Sequence, residues 1–394
     1  MKVKVWKDVS IAIILIFACS TFANVHATAT ELATPPSIPN VTSPDCLAYD
    51  SGKGEIFVTN GGNSIYIISD STNTVVATIS MAFPCGVVYD SGKGEVFVLT
   101  SDTYTGTSTG TVAIISDSTN TIIANITVGN TGWPAIGIAY DSGRGEIFAA
   151  NSVDNTVSVI SDSSNTVIAT INVGTSPYAL AYDSGKGEIF VSNEGSNSIS
   201  VISDSNNQVV ATITSSIVGP EGVAYDPAKG EIFVSDYSAT SFSVISDKNN
   251  AVTTLGLGTA GAVEGLTNPY NMDFDTGTGQ AFVNCNDAAV NIISDKNNAV
   301  VASFAPPNSE NGPVSGFAYD SGKREMFIGG GGNNVVYYLS DSSSQSTSST
   351  SSSSTSASPS PSIPEFGSAA LVLVVAAVVI ATSAVAIKVR KKKQ

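Results

Sequence analysis

Between residues 44 and 341 short apolar runs of four to seven residues alternate with turns rich in Gly, Ser, Asn and Asp, and the arrangement repeats. In the fourth repeat the runs are Tyr178–Tyr182, Glu188–Ser192, Ser198–Ile202 and Gln208–Ile213. Each is too short for a helix and has the β-branched, alternating character of a half-buried strand. Asp-Ser-Gly-Lys-Gly joins the first two runs, and its glycines permit the positive φ of a tight hairpin loop. Ser-Asp-Ser-Asn-Asn joins the last two, with side chains suited to capping a turn.

Two markers count the repeats. A Tyr/Phe-Asp pair recurs at Tyr49, Tyr89, Tyr140, Tyr182, Tyr225, Phe274 and Tyr319. An Ile/Leu-Ser-Asp triplet ends at Asp70, Asp117, Asp162, Asp204, Asp247, Asp295 and Asp341. Seven units of four strands, 40 to 51 residues apart, predict an all-β, seven-bladed β-propeller with four-stranded antiparallel blades. The seventh unit stops at Asp341, so its outer strand has no local sequence. Residues 31–41 precede Thr42-Ser43-Pro44 as a fourth strand should, and the ring is expected to close with this N-terminal strand at the edge of the last blade. Pro35, Pro36 and Pro39 are tolerable there because an edge strand need not donate every N–H.

The ends differ from the middle. Residues 1–27 read as a signal peptide: Lys2, Lys4 and Lys7, an apolar core from Val9 to Ala18, and Val25-His26-Ala27 at the cleavage position. Cys19 leaves a lipoprotein reading open. Residues 28–43 form the N-terminal segment that supplies the closing strand, and 44–341 the propeller. A Ser/Thr-rich stalk over 342–363 cannot build a core. Residues 364–387 hold a motif and an uncharged stretch from Ser368 to Ile387, 20 residues that suit a C-terminal transmembrane helix. The basic tail 388–394 then faces the cytoplasm. The expected location is the cell surface, anchored by the C-terminus.

The runs Glu55-Ile56-Phe57-Val58-Thr59-Asn60 and Glu188-Ile189-Phe190-Val191-Ser192-Asn193 resemble the YVTN repeat of archaeal surface-layer β-propellers, over about residues 44–341. The motif decays to Phe282-Val283-Asn284-Cys285 and Phe327-Ile328-Gly329-Gly330, and Thr278-Gly279-Gln280 replaces the usual Lys-Gly-Glu. Pro364-Glu365-Phe366-Gly367, before the span and basic tail, is similar to the PEFG-CTERM sorting signal of ammonia-oxidising archaea. That resemblance implies processing by an archaeosortase-type enzyme; an ordinary membrane anchor is the alternative.

Charge narrows the chemistry. Setting aside three Lys and one Asp in 1–27, and five basic residues and Glu365 from Pro364 on, leaves nine basic and 31 acidic residues, a net −22. So acidic a domain repels phosphate backbones, and nucleic-acid binding is not expected. The only histidine is His26, in the leader, which removes histidine-based triads and histidine-ligated metal centres from the mature chain. No catalytic residues and no cofactor are expected.

Alternating strands put both regular turns of every blade on one face of the disc. All nine basic residues fall in or beside those turns. Length variation lies on the other face, in Thr100–Gly110, Val128–Pro134, Leu255–Tyr270 and Ala305–Val314, so specificity is expected there. Candidate ligand-binding residues on that face are the acids Glu194, Glu221, Asp236, Glu264 and Asp287 and the aromatic residues Tyr104, Trp133, Tyr178, Tyr237 and Tyr270, which can stack on sugar rings. A calcium ion among Glu194, Asp236 and Asp287 is an open alternative to scattered surface acids. Cys46 and Cys85 lie near the starts of adjacent inner strands, a spacing open to a disulfide in an oxidising setting, and Cys285 has no counterpart. Asn40 and Asn125 are N-glycosylation acceptors.

The expected role is non-catalytic binding or adhesion to envelope glycans or surface-layer proteins. A carboxylate-dependent hydrolase or lyase acting on surface polysaccharide, and a passive part of the surface lattice, are the alternatives.

Overall fold

The computed structural model describes residues 30–60, 62–101, 108–132, 136–239, 241–256, 268–286, 289–306 and 315–341. Seven antiparallel sheets run in chain order around an axis, each with its first strand innermost. The inner strands are Leu47–Asp50, Pro84–Asp90, Ile138–Asp141, Pro177–Asp183, Pro220–Asp226, Pro269–Asp275 and Phe317–Asp320. The seven-bladed, all-β expectation holds.

The N-terminal segment closes the ring. Ser37–Pro39 pairs antiparallel with the third strand of blade 7, Val335–Ser340, opposing Tyr337, Val336 and Val335. Ile38 and Val41 are buried there, so side-chain packing supplements three residues of pairing. One further contact was not legible in the sequence. Thr30–Glu31 lies parallel to Ala302 and Ser303 on the outer edge of blade 6, giving that sheet a fifth strand. The segment thereby straddles two blades. The leader, the stalk, the PEFG motif Pro364–Gly367 and the C-terminal span lie outside the described residues. Among the described residues no helix is long and apolar enough to cross a membrane.

Blades pack through their second strands. Phe57, Phe97, Phe148, Phe190, Phe233, Phe282 and Phe327 stand at one register position, each at most 1% exposed. Burying such a ring contributes roughly 1.5–3 kcal/mol per blade. The Thr/Ser of the Val-Thr-Asn motif has a separate task. Thr59 Oγ1 donates to the Cys85 carbonyl at 2.8 Å, Ser192 Oγ to that of Glu221 at 2.6 Å, and Ser235 Oγ to that of Tyr270 at 2.5 Å. Each hydroxyl thus fastens its blade to the inner strand of the next. Asn284 Nδ2 does the same to the Ser315 carbonyl at 2.7 Å, which is how the decayed sixth motif keeps the contact.

The turn face is equally regular. Asp50 Oδ1 accepts from the N–H groups of Gly52 and Lys53. The same Asx turn forms at Asp90, Asp141, Asp183, Asp226, Asp275 and Asp320. In the second turn Asn73, Asn120, Asn165, Asn207, Asn250 and Asn298 adopt positive φ, which Asn tolerates better than other side chains. The basic residues reach acidic turns: Lys53 Nζ donates to the Asp117 carbonyl of the next blade at 2.5 Å, and Arg324 Nε pairs with Asp341 at 2.7 Å.

The repeating tyrosine reaches the turn of the preceding blade. A Cβ added at Gly185 would lie 2.7 Å from the Tyr225 hydroxyl, and one at Gly52 2.5 Å from that of Tyr89. The glycine makes room for the phenol oxygen, which lies near the Asx-turn carboxylate and is pushed above its ordinary pKa by burial first and that carboxylate second. Between blades 5 and 6 both partners change together. Ala228 stands where the other turns carry glycine, and Phe274, with no hydroxyl, faces it.

Candidate functional site

Where the seven inner strands begin, on the loop face, the repeats stop agreeing. Four residues before each Tyr/Phe marker stand Asp45, Cys85, Ile136, Tyr178, Glu221, Tyr270 and Ser315. The next position is small in every blade but the sixth, which has Asn271, because adjacent strands almost touch: a Cβ at Gly222 would lie 2.6 Å from the Tyr270 carbonyl oxygen. The position after that is large and apolar, and its residues, among them Leu47, Leu180, Met272 and Phe317, line a cavity of about 190 Å³ on the axis. One residue further on, five blades have Ala and one has Val; blade 6 has Asp273, which also lines the cavity.

The mouth is a cluster drawn from four blades. The rings of Tyr178 and Tyr270, from blades 4 and 6, meet at 6.2 Å between centroids and 64°, and blade 5 between them carries Glu221 at the equivalent position. Tyr237 packs on Tyr270 at 6.2 Å and 59°. Burial pushes the Tyr178 and Tyr270 hydroxyls well above their ordinary values. The charges of Tyr270, Glu221 and Cys46 add to this at Tyr178, and those of Asp45, Glu221 and Cys46 at Tyr270.

Glu221 is 5% exposed, and its Oε2 has no hydrogen-bond partner. Burial first, and the charge of Glu194 second, push its carboxyl up to about 8. Burial raises Asp45 to about 6. It raises Asp273 to about 7, against the lowering effect of the Phe274 N–H, which Asp273 Oδ1 accepts at 2.8 Å.

The structure sorts the residues proposed from sequence. Tyr178, Glu221, Tyr237 and Tyr270 come together at the mouth, with Glu194, exposed in a short turn at Glu194–Ser196, near enough to act on Glu221. Asp236 is spent internally. It replaces the Asn of the Val-Ser-Asn motif and is fully buried, its carboxylate accepting from Ser243 Oγ at 2.8 Å, Ser241 Oγ at 3.3 Å and the Val218 N–H at 3.4 Å. In blade 4 Asn193 makes the equivalent bonds to Ser198 and Ser200. Burial raises Asp236 to about 6 against those donors. Tyr104, Trp133, Glu264 and Asp287 lie outside the described residues. Among the described residues no group of three or more His, Cys, Asp or Glu is placed to hold a metal ion.

Cys46 and Cys85 are both buried, and the thiol of Cys46 is pushed well above its ordinary value by burial first, then Asp45 and Cys85. Asn40 and Asn125 are both exposed. Asp45 and Asp273 escaped the reading of the sequence. Aligning the seven repeats column by column would have found both, since each is an acid in a column where most repeats place neutral residues.

No protein-family model matches the chain, and no curated protein matches it in sequence. Among solved structures it resembles a chain of the hydrazine synthase of Kuenenia stuttgartiensis. The TM-score is 0.63 and the identity 14%, with 81% of this chain and 99% of that chain covered. Likeness at that identity extends to the propeller fold alone.

Proposed function

We propose that this chain is a propeller displayed at the cell surface, which binds an envelope glycan or a surface-layer protein through its loop face without transforming it. The observation that carries the reading is the contrast between the faces. Seven turns repeat one another on one side, while the inner-strand starts on the other present a different residue in nearly every blade. Tyrosine rings beside carboxylates, with no basic residue among them, suit neutral polyols and cationic groups better than anions. The third strand of blade 7 ends at Ser340, beside the turns. The resemblance at Pro364–Gly367 supports a C-terminal anchor, retained as a membrane span or exchanged by an archaeosortase-type enzyme.

The test is retention of the purified full chain on an isolated archaeal envelope fraction, with calcium or with chelator, and mass spectrometry of the supernatant. Retention without released fragments supports adhesion, and loss on chelation adds a calcium site. Absence of retention overturns the binding reading.

One observation favours a second reading, a hydrolase or lyase acting on surface polysaccharide. A buried carboxyl raised to about 8 beside a second carboxylate is the pairing that general acid catalysis uses. Saccharide fragments released by the native chain but not by Glu221→Gln would establish it. The passive lattice reading has support in exposed aliphatic side chains at Val76, Ile123, Ile168 and Val210, on the outer strands of blades 1 to 4. Concentration-dependent sedimentation tests it.

A further inference from the structure

The axial channel stacks three layers of different chemistry. At the loop-face mouth stand Glu221 and Asp45 with the phenols of Tyr178 and Tyr270. Beneath them, seven large apolar side chains ring the axis. Beyond the ring Asp273 is the one acid in a column of Ala and Val. None of the described residues lining the cavity is basic. The volume, about 190 Å³, is below the ~300–1,000 Å³ of sites for drug-sized molecules, so the guest is small.

Two of these observations point to a ligand independently of the acid count. Glu221 is buried with Oε2 unpartnered, and a buried carboxylate oxygen without a donor is costly unless something supplies one. Asp273 replaces a methyl-sized side chain in a wall that six other blades keep apolar. It accepts from the Phe274 and Tyr319 N–H groups, yet the ring is complete with Ala at that position in five blades, so an acid is not needed there for the fold.

The geometry points to a binding site, in the axial channel, for a short linear aliphatic amine, with an ammonium group at Glu221 between the Tyr178 and Tyr270 rings and its alkyl chain inside the apolar ring. A sugar would leave most of its hydroxyls unpaired against that ring, and a bare metal ion would find too few oxygens. An ammonium supplies the donors that Glu221 lacks and gains from aromatic faces beside it. The register separates the Glu221 and Asp273 positions by three residues, roughly 10 Å along an extended strand at about 3.3 Å per residue. A diamine therefore places its second ammonium toward Asp273. The inference is independent of what the outer loops bind.

The test is calorimetric titration of the full chain in nonionic detergent at pH 8 with butylammonium, 1,4-diaminobutane, 1-butanol and glucose. Butylammonium is expected to bind at one site per chain, at least tenfold more tightly than 1-butanol, and the diamine more tightly again. Glu221→Gln should weaken both amines at least tenfold, and Asp273→Ala should abolish only the advantage of the diamine, with thermal melts confirming that both variants fold. No amine binding, equal binding of 1-butanol, preference for glucose, or unchanged affinity in Glu221→Gln would each overturn the assignment. Envelope retention that survives Glu221→Gln would leave adhesion standing whatever happens to the amine site.

Discussion

The turn face and the loop-face mouth are built from opposite ends of the same inner strands, yet they obey different rules. On the turn face the same Asp, Gly and Asn recur because each closes a hairpin, and the recurring Tyr because it reaches the neighbouring blade. At the mouth, Asp45, Cys85, Ile136, Tyr178, Glu221, Tyr270 and Ser315 occupy equivalent places with almost nothing in common. Contact between blades runs through their backbone carbonyls, which Thr59, Ser192, Ser235 and Asn284 hold, and Ser315 adds its own side chain, its Oγ donating to the Pro44 carbonyl where blade 7 meets blade 1. Position in the ring is fixed through the main chain, and the side chain is left to vary.

Changes to the scaffold should therefore lower the melting temperature, and changes at the mouth should alter binding. Deleting 28–43 removes both the closing strand and the strand on blade 6, and is expected to lower the melting temperature by more than about 10 °C, measured calorimetrically; a shift of ~2–4 °C is about 1 kcal/mol in domains of 150–250 residues. An unchanged melt would refute closure through the N-terminus.

Next comes Gly185→Ala. The added methyl meets the Tyr225 hydroxyl and should cost about 1–3 kcal/mol in denaturant titration. Adding Tyr225→Phe reproduces the Ala228/Phe274 pair of blades 5 and 6 and should recover most of the loss. Additive effects of the two changes would show that the pairing is coincidental.

A smaller effect concerns pH. Burial pushes Asp45 and Asp236 up to about 6, Asp273 to about 7 and Glu221 to about 8. In the unfolded chain such groups titrate near about 4. Between these values the folded protein holds protons that the unfolded chain has released, so stability falls as pH rises from 4 to 8. Asp273→Ala should raise the melting temperature at pH 8 and leave it unchanged at pH 4. A gain of equal size at both would mean that the aspartate costs stability by shape rather than by charge.

Smallest is Tyr178→Phe, which removes a hydroxyl at the mouth. It should change the melting temperature by under about 2 °C, while a loss as large as that of Gly185→Ala would make the mouth part of the scaffold.

The blade count, the face assignment and the missing outer strand were legible because each rests on a pattern that repeats seven times or fails once. The strand at Thr30–Glu31 was not, since two residues have no period and their partner lies in another blade. Asp236 misled for a related reason. As one acid among loops it resembled a surface ligand, whereas against Asn151 and Asn193 it is the motif's amide replaced by a carboxylate. Tyr178, Glu221 and Tyr270 were found as loop-face residues, but not the contact of the two tyrosine rings across the blade that carries Glu221. Convergence from blades 4, 5 and 6 depends on ring curvature, which no local stretch encodes.

The segment that completes blade 7 is made first. Ser43 and its partner Asn334 are 291 residues apart, so at ~5–20 residues per second the N-terminal segment waits roughly 15 to 60 s for the last blade to be synthesised. Until then the earlier blades form an open arc whose first and last members each lack a neighbour. A chain terminated before Ser340 never passes that stage, and its unpaired flanks remain open to aggregation and proteolysis. Closure is thereby a check on length, in which only a chain translated through the last blade conceals its own beginning.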